Sequence, residues 1–249
     1  MIEIKKLSSG YRNDEIIKDI DLTINDGSLT VLIGPNGSGK STLLKTLCAQ
    51  IKPAKGDIFI DGSDIRQIKP VQRAKMMSYL PQGTPLGETT VERYVLYGRY
   101  PYSAWPKNYS KEDRIMAAKA IERFGLTELS AKPLSCLSGG ERQKAALALA
   151  FCQNSKNVLM DEPASFLDIS AQFELMNLLR SFADEGKAVC AVLHDIPMAL
   201  GFADSIAVME KGRIAFFGAP QDAVQSGVID KVFSVKVECI EGHFICRPK

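Results

Sequence analysis

The sequence predicts an α/β fold: a core with a phosphate-binding loop, an antiparallel β subdomain, and a helical lobe inserted into the core. Three observations predict it. First, the apolar run Leu29-Thr30-Val31-Leu32-Ile33 leads into Gly34-Pro35-Asn36-Gly37-Ser38-Gly39-Lys40-Ser41-Thr42, and a helical stretch, Leu43 to Cys48, follows. Second, the apolar runs Val158-Leu159-Met160 and Ala188 to Leu193 end in the polar pairs Asp161-Glu162 and His194-Asp195. Third, residues 89–126 carry helix signals and no strand candidate. The 249 residues are therefore expected to form one domain, with 1–83 and 157–249 as the core and its β subdomain and 84–156 as the lobe.

The central stretch matches G-x-x-x-x-G-K-[ST] at every fixed position, in the strand–loop–helix setting that the motif requires. Its glycines let successive N–H groups turn toward phosphate oxygens. The following helix adds the partial positive charge of its N-terminus. Lys40 can reach the β- and γ-phosphates, and the Ser41 hydroxyl can hold Mg²⁺. The rest of the chain is read for what it does to a bound nucleoside triphosphate.

Composition sets the bounds. At 45 % hydrophobic and 24 % charged, the chain can bury a sizeable core. A net charge of +2 implies no basic face, so nucleic acid is not an expected partner. No apolar run approaches the ~20 residues that span a bilayer, and Met1 to Lys6 lacks an apolar leader stretch. Cys48, Cys136, Cys152, Cys190, Cys239 and Cys246 show no C-x-x-C spacing. They read as free thiols, most of them buried, in a reducing cytosol. Cys239 and Cys246 flank a turn at Glu241-Gly242 and could face each other.

Ile2 to Leu7 and Ile20 to Ile24 alternate like strands, with Tyr11 between them. That ring either stacks on an adenine or is a half-buried strand end. Asp57 to Ile60 is a strand closed by Asp61-Gly62, and Met77 to Leu80 is another, ending in Pro81-Gln82-Gly83. Gln82 is then either a ligand contact at a strand's carboxyl end or a solvated loop residue. Thr90 to Tyr97 reads as a short helix ended by Gly98, and Arg99 to Ser110, rich in Pro, Tyr and Trp, as a loop. Ser110 with Asp113 resembles a capping box, and helix runs on to Phe124.

Leu137-Ser138-Gly139-Gly140-Glu141 precedes an amphipathic helix, Arg142 to Phe151. Ser138 and Glu141 form a capping box, but a cap does not need two glycines, and these expose N–H groups as a second anion site. Phosphates gripped from two sides would account for the pair. Asp161, at a strand end in a P-loop chain, is placed to hold Mg²⁺. Glu162, pointing the other way along a strand, could polarise an attacking water. His194 ends a strand on the same edge, within range of a γ-phosphate. Ser205 to Met209 and Arg213 to Phe217 form a hairpin around Glu210-Lys211-Gly212.

The P-loop, Pro81-Gln82, Leu137 to Glu141, Asp161-Glu162-Pro163, Ser165-Phe166-Leu167-Asp168 and His194-Asp195, in that order over nearly the whole chain, resemble the ATP-binding subunit of an ABC transporter. The resemblance implies that fold, and ATP and Mg²⁺ as ligands. It also implies adenine stacking for Tyr11, Mg²⁺ binding and transport coupling for Gln82, and Ser138 to Glu141 acting on the partner subunit's ATP. Glu162 becomes the catalytic base, Asp168 a dimer contact and His194 the γ-phosphate sensor. The partners implied are a second copy in an ATP-dependent homodimer, two membrane-spanning permease subunits and a substrate-binding protein, with the chain peripheral on the cytoplasmic face of the membrane. Leu96 to Tyr102 and Phe166 to Gln172 resemble, more narrowly, the ATPases that import iron-siderophores, haem and cobalamin. Ala164, Ala171 and Pro197 depart from that pattern away from the catalytic positions.

Rival readings fit less well. A DNA-repair ATPase would carry a long coiled-coil insertion, a translation factor two such domains, and a module without turnover would not need Gln82, Glu162 and His194 together. Tyr94, Tyr97, Tyr100, Tyr102, Trp105 and Tyr109, with Arg93 and Arg99 among them, suggest a groove for a short helix of the permease. On that reading Arg99→Glu or Tyr100→Ala leaves a folded, active ATPase that no longer drives transport.

Overall fold

The computed structural model describes every residue except 13, 84–86, 104–107 and 166, so Trp105 and Phe166 lie outside the described residues. The chain opens with strands β1 (Ile2–Tyr11), β2 (Asp14–Ile24) and β3 (Ser28–Ile33), followed by helix α1 (Lys40–Leu47). Next come β4 (Lys55–Ile60), β5 (Ser63–Asp64), α2 (Pro70–Met76) and β6 (Met77–Leu80). Three helices follow, α3 (Val91–Leu96), α4 (Lys111–Arg123) and α5 (Gly139–Gln153). The remainder alternates: β7 (Asn157–Asp161), α6 (Ile169–Asp184), β8 (Ala188–Val192), α7 (Ile196–Phe202), β9 (Ser205–Glu210) and β10 (Arg213–Gly218). It closes with α8 (Pro220–Gln225), α9 (Val228–Phe233), β11 (Val235–Ile240) and β12 (His243–Pro248).

The central sheet has six strands in the order β10-β9-β3-β8-β7-β6. β9, β3, β8, β7 and β6 run parallel, and β10 is antiparallel at the edge. Parallel neighbours put their carboxyl ends on one edge, where α/β sheets bind ligands. The P-loop after β3, Asp161-Glu162 at the end of β7 and His194 after β8 therefore meet there. The second sheet is antiparallel, β2-β1-β4-β5, as expected of the β subdomain.

Both faces of the central sheet are covered, which is why its strands read as unbroken apolar runs. Successive side chains alternate between two cores. Val31, Ile33, Met160, Val189 and Ala191 enter the core shared with α3 to α6, whereas Leu32, Leu159, Cys190 and Val192 enter the one shared with α1 and the β subdomain. The first core runs from the sheet into α3 (Val91, Val95) and α4 (Ala117, Ala120) without a break.

Several expectations are corrected. α3 ends just before Gly98, as expected, but no loop begins at Arg99. After α3 the chain tightens into a 3₁₀ segment, Tyr97–Tyr102, that passes through Gly98 and Pro101. Gly98 is there for close approach: a Cβ on it would lie 2.5 Å from the Leu149 carbonyl oxygen of α5. Arg99 is not a surface residue. Its side chain is 12 % exposed and pairs with Asp113, itself 7 % exposed, at 2.8 Å. The guanidinium also donates to the Cys152 carbonyl and lies over the Tyr102 ring. Asp113 still completes the capping box with Ser110. Tyr94 and Tyr109 pack against the core, while Tyr97 and Tyr100 are exposed.

All six cysteines are free, but only Cys152 and Cys190 are buried. Cys136, at the end of a 3₁₀ segment, and Cys239, in β11, are exposed, so apolar neighbours in sequence do not guarantee burial. Cys239 and Cys246 do not face each other, since the register pairs Cys239 with Phe244 and Cys246 with Val237.

Candidate functional site

The site begins where β3 stops. Gly37 and Gly39 take φ of 76° and 103°, left-handed values that a side chain would oppose. At Gly39 a Cβ would also meet Ile17 Cγ2 at 2.8 Å, so the tight loop depends on both absences. Helix α1 then starts inside the motif, at Lys40, with no side-chain cap and no acidic residue in its first turn. Its N-terminal N–H groups, at the helix's partial positive end, are thus capped by no side chain. Ser38 is buried, and its hydroxyl finds no hydrogen-bond partner among the described residues. A buried hydroxyl in that state costs about 1–3 kcal/mol, which a phosphate oxygen would recover. Lys40 is buried, and its ammonium donates to the carbonyls of Gly34 (2.7 Å) and Pro35 (3.1 Å). Burial lowers its pKa, opposed by the nearby charges of Glu162 and Asp161.

Asp161 lies across from this loop, 2 % exposed. The Ser41 hydroxyl donates to its Oδ1 at 3.1 Å and the Tyr79 hydroxyl to its Oδ2 at 3.4 Å. Burial raises the Asp161 pKa, and the Glu162 charge adds to this against the Ser41 hydrogen bond. A half-compensated buried carboxylate beside a serine hydroxyl is a hard-oxygen donor set that suits Mg²⁺ shared with phosphate.

Glu162 is the hub of the second half. Strand alternation does not orient it, because β7 ends at Asp161 and Glu162 itself turns to φ 52°. That left-handed backbone swings the carboxylate to the sheet edge, where two candidate residues reach it. Gln82 Nε2 donates to Oε2 at 2.6 Å, and His194 Nε2 lies 2.7 Å from Oε1. The Ser165 hydroxyl adds a longer contact to Oε2 at 3.4 Å. A cavity of about 250 Å³ beside this cluster is lined by Glu162, Ser165, Gln172, His194 and Asp195, among others.

Gly34 to Thr42, Asp161, Glu162, Gln82 and His194 are thus gathered on one edge. Gln82 touches Glu162 rather than Asp161 or Ser41. Tyr11 ends β1, 47 % exposed. Ser138 and Glu141 form the expected capping box on α5, and helix includes both glycines rather than starting at Arg142. No hydrogen bond among the described residues ties Ser138 to Glu141 to the P-loop or to Glu162. Asp168 is exposed and caps α6 through the Ala171 N–H at 2.8 Å. Sequence reasoning missed Tyr79, Ser165 and Gln143, whose buried amide donates to the Pro163 carbonyl at 2.7 Å. Ser165 lay in a motif already singled out, but nothing in the sequence signalled Gln143.

Fold and site together define a P-loop ATPase: a parallel sheet with an open anion site at α1, a buried acid at Ser41 and an acid–amide–imidazole cluster beside it. Residues 17–165 match the ABC transporter family. The petrobactin import ATP-binding protein FpuD of Bacillus anthracis is 37 % identical over 240 residues, 96 % of this chain and 87 % of that protein. The ferric enterobactin transport ATP-binding protein FepC of Escherichia coli (strain K12) is 35 % identical over 239 residues, 95 % of this chain and 88 % of that one. A solved dimeric ATP-binding cassette, in a post-hydrolysis state bound to ADP and Pi, superposes with a TM-score of 0.78 at 26 % identity, covering 88 % of this chain and 99 % of that chain. The chain belongs to the ABC transporter family, as one of its ATP-binding transport ATPases.

Proposed function

We propose that the chain powers import of a metal chelate as half of a head-to-tail homodimer on two permease subunits. One observation carries the catalytic part: the Glu162 carboxylate, held between Gln82 and His194 at the end of β7. The P-loop N–H groups and Lys40 bind and orient the phosphates, and the exposed Tyr11 ring offers a face for the adenine. Ser41 and Asp161 hold Mg²⁺, which supplies charge neutralisation at the phosphates. The Gln82 amide nitrogen is engaged by Glu162, which leaves its oxygen for the metal. Glu162 takes the proton of the attacking water, and His194 steadies Glu162 while facing the γ-phosphate.

Ser138 to Glu141 bind the nucleotide of the partner subunit, and Asp168 lies in the dimer contact. Two such sites arise from a C2 pair, so ATP joins the halves and hydrolysis releases them. Residues 84–156 move as a lobe, and the exposed Tyr97 and Tyr100 contact the permease. No described helix is long and apolar enough to cross a membrane, and we place the chain peripherally, on the cytoplasmic face. A substrate-binding protein completes the importer.

His194→Ala is the direct test of the cluster. Turnover falls by about 10²-fold or more, as when an acid–base group is lost, while ATP affinity by equilibrium dialysis stays near that of the parent. An equal loss of ADP affinity would show a structural role instead. The cargo rests on the relatives named above, which act in petrobactin import and ferric enterobactin transport. In proteoliposomes with its permease, the ATPase is stimulated by a ferric siderophore, haem or cobalamin. Stimulation by a sugar or peptide, with every metal chelate ignored, would overturn that assignment.

A further inference from the structure

The turn after Glu162 is held by the helix that carries the second anion site. On α5, Gly140 and Gln143 are three residues apart and share a face. Gln143, 6 % exposed, donates from Nε2 to the Pro163 carbonyl at 2.7 Å. Gly140 lies against Leu167, whose Cδ2 would be 3.7 Å from a Cβ placed on the glycine. The turn in between is closed by Ser165 N–H to the Glu162 carbonyl (3.2 Å) and by Leu167 N–H to the Ala164 carbonyl (3.3 Å). From the far side, Gln172 Nε2 fixes the Leu167 carbonyl at 3.1 Å. The Ser165 hydroxyl then reaches back to Glu162 Oε2. α5 therefore holds the Glu162 turn at Pro163 by a hydrogen bond and lies beside its far end at Leu167, in the same chain. Glu162, at a left-handed backbone position, aims its carboxylate according to where that turn sits.

We propose that Gln143 is a positioning residue that couples the N-terminus of α5 to the catalytic carboxylate of its own subunit. This rests on the head-to-tail reading above, in which Ser138 to Gly140 engage the partner's nucleotide. A shift of α5 on engaging that nucleotide carries the Pro163 carbonyl with it, through the buried Gln143 hydrogen bond. The Glu162 carboxylate moves relative to Gln82 and His194. Each glutamate is thereby set by occupancy of the opposite site, and the two sites hydrolyse ATP cooperatively. Gln143 touches neither nucleotide nor water, and its effect passes through Pro163.

The test compares two glutamines of the same helix. Gln143→Met keeps the length of the side chain and loses the donor. Gln153→Met, at the other end of α5, removes the hydrogen bonds to the carbonyls of Ala74 (2.5 Å) and Met77 (2.9 Å) and leaves the Glu162 turn alone. In Gln143→Met, kcat falls about tenfold and the Hill coefficient for ATP drops to one, with KM nearly unchanged, as expected when a typical coupling is lost. Gln153→Met lowers the melting temperature but keeps kcat and the Hill coefficient. Gln143→Lys, which keeps a donor within reach of the carbonyl, retains part of the cooperativity and serves if the Met variant does not fold. In a Glu162→Gln background, Gln143→Met still gives the ATP-bound dimer by light scattering. Unchanged kcat and Hill coefficient in Gln143→Met overturn the proposal, as does loss of that dimer, which would place Gln143 in dimer formation. No ATP-bound dimer in Glu162→Gln alone would instead remove the head-to-tail reading, and the coupling with it.

Discussion

Glu162→Gln binds ATP as tightly as the parent chain and hydrolyses it about 10²–10⁴-fold more slowly, the usual consequence of losing a general base. The reason lies in the two donors that meet this side chain. Gln82 Nε2 points at one carboxylate oxygen and His194 Nε2 at the other. An amide has one acceptor oxygen and one donating nitrogen, so it can accept from only one of the two, and the other neighbour must turn an acceptor toward it. It also cannot take a proton from water. Binding survives because the P-loop and Lys40 make no hydrogen bond to Glu162. With hydrolysis stopped, an ATP-bound dimer accumulates and is seen by light scattering on addition of MgATP. Turnover at the parent rate would remove Glu162 from the role of base.

Arg99→Glu fails at the level of folding rather than of transport coupling. The substitution removes the partner of a buried carboxylate and sets a second carboxylate beside it. Breaking a buried pair costs about 3–5 kcal/mol, which for a chain of this length lowers the melting temperature by roughly 10 °C. Burial alone would raise the Asp113 pKa. The hydrogen bonds from Arg99 and Ser110 outweigh it and hold the carboxyl below its ordinary value. The sign of the pH dependence follows. A depressed folded pKa contributes stability above the unfolded value of ~4, lost as the pH falls through the folded value. Thermal melts of parent and variant should therefore differ most near neutrality and converge in acid. A variant that melts with its parent at pH 7 would show that the pair contributes nothing.

The contrast between these two positions shows what was legible in the sequence. The P-loop, the acidic strand end and the strand-end histidine are local patterns, and the parallel sheet brings their carboxyl ends together as a rule of the fold. Arg99 was misread because its partner stands fourteen residues away as an apparent helix cap, and because Gly98 and Pro101 punctuate the chain like a loop. The structure uses the missing Cβ at Gly98 to seat the 3₁₀ turn on α5. Gln143 was invisible for the opposite reason. A polar residue in an amphipathic helix reads as solvent-facing, and only the packing of α5 on the Pro163 turn buries it. Glu162 was expected at the strand end, turned away from Asp161 by strand alternation, whereas a left-handed backbone just past the strand orients it.

The two cores on either side of the central sheet change what counts as a neighbour. Val31 and Leu32 are bonded to each other, yet the sheet wall divides them, and each answers to a different set of side chains. Leu32 shares its surroundings with Val192 and Ala207, its register partners on β8 and β9, more than a hundred positions along the chain. Compensation follows space and not sequence, since energetic coupling is strong only between groups in contact. A volume lost at Leu32 can be made good at Val192 or Ala207 but not at Val31. The history of substitutions on one face can proceed almost without reference to the other, leaving the strand between them as a record of two independent packing problems written in alternate letters.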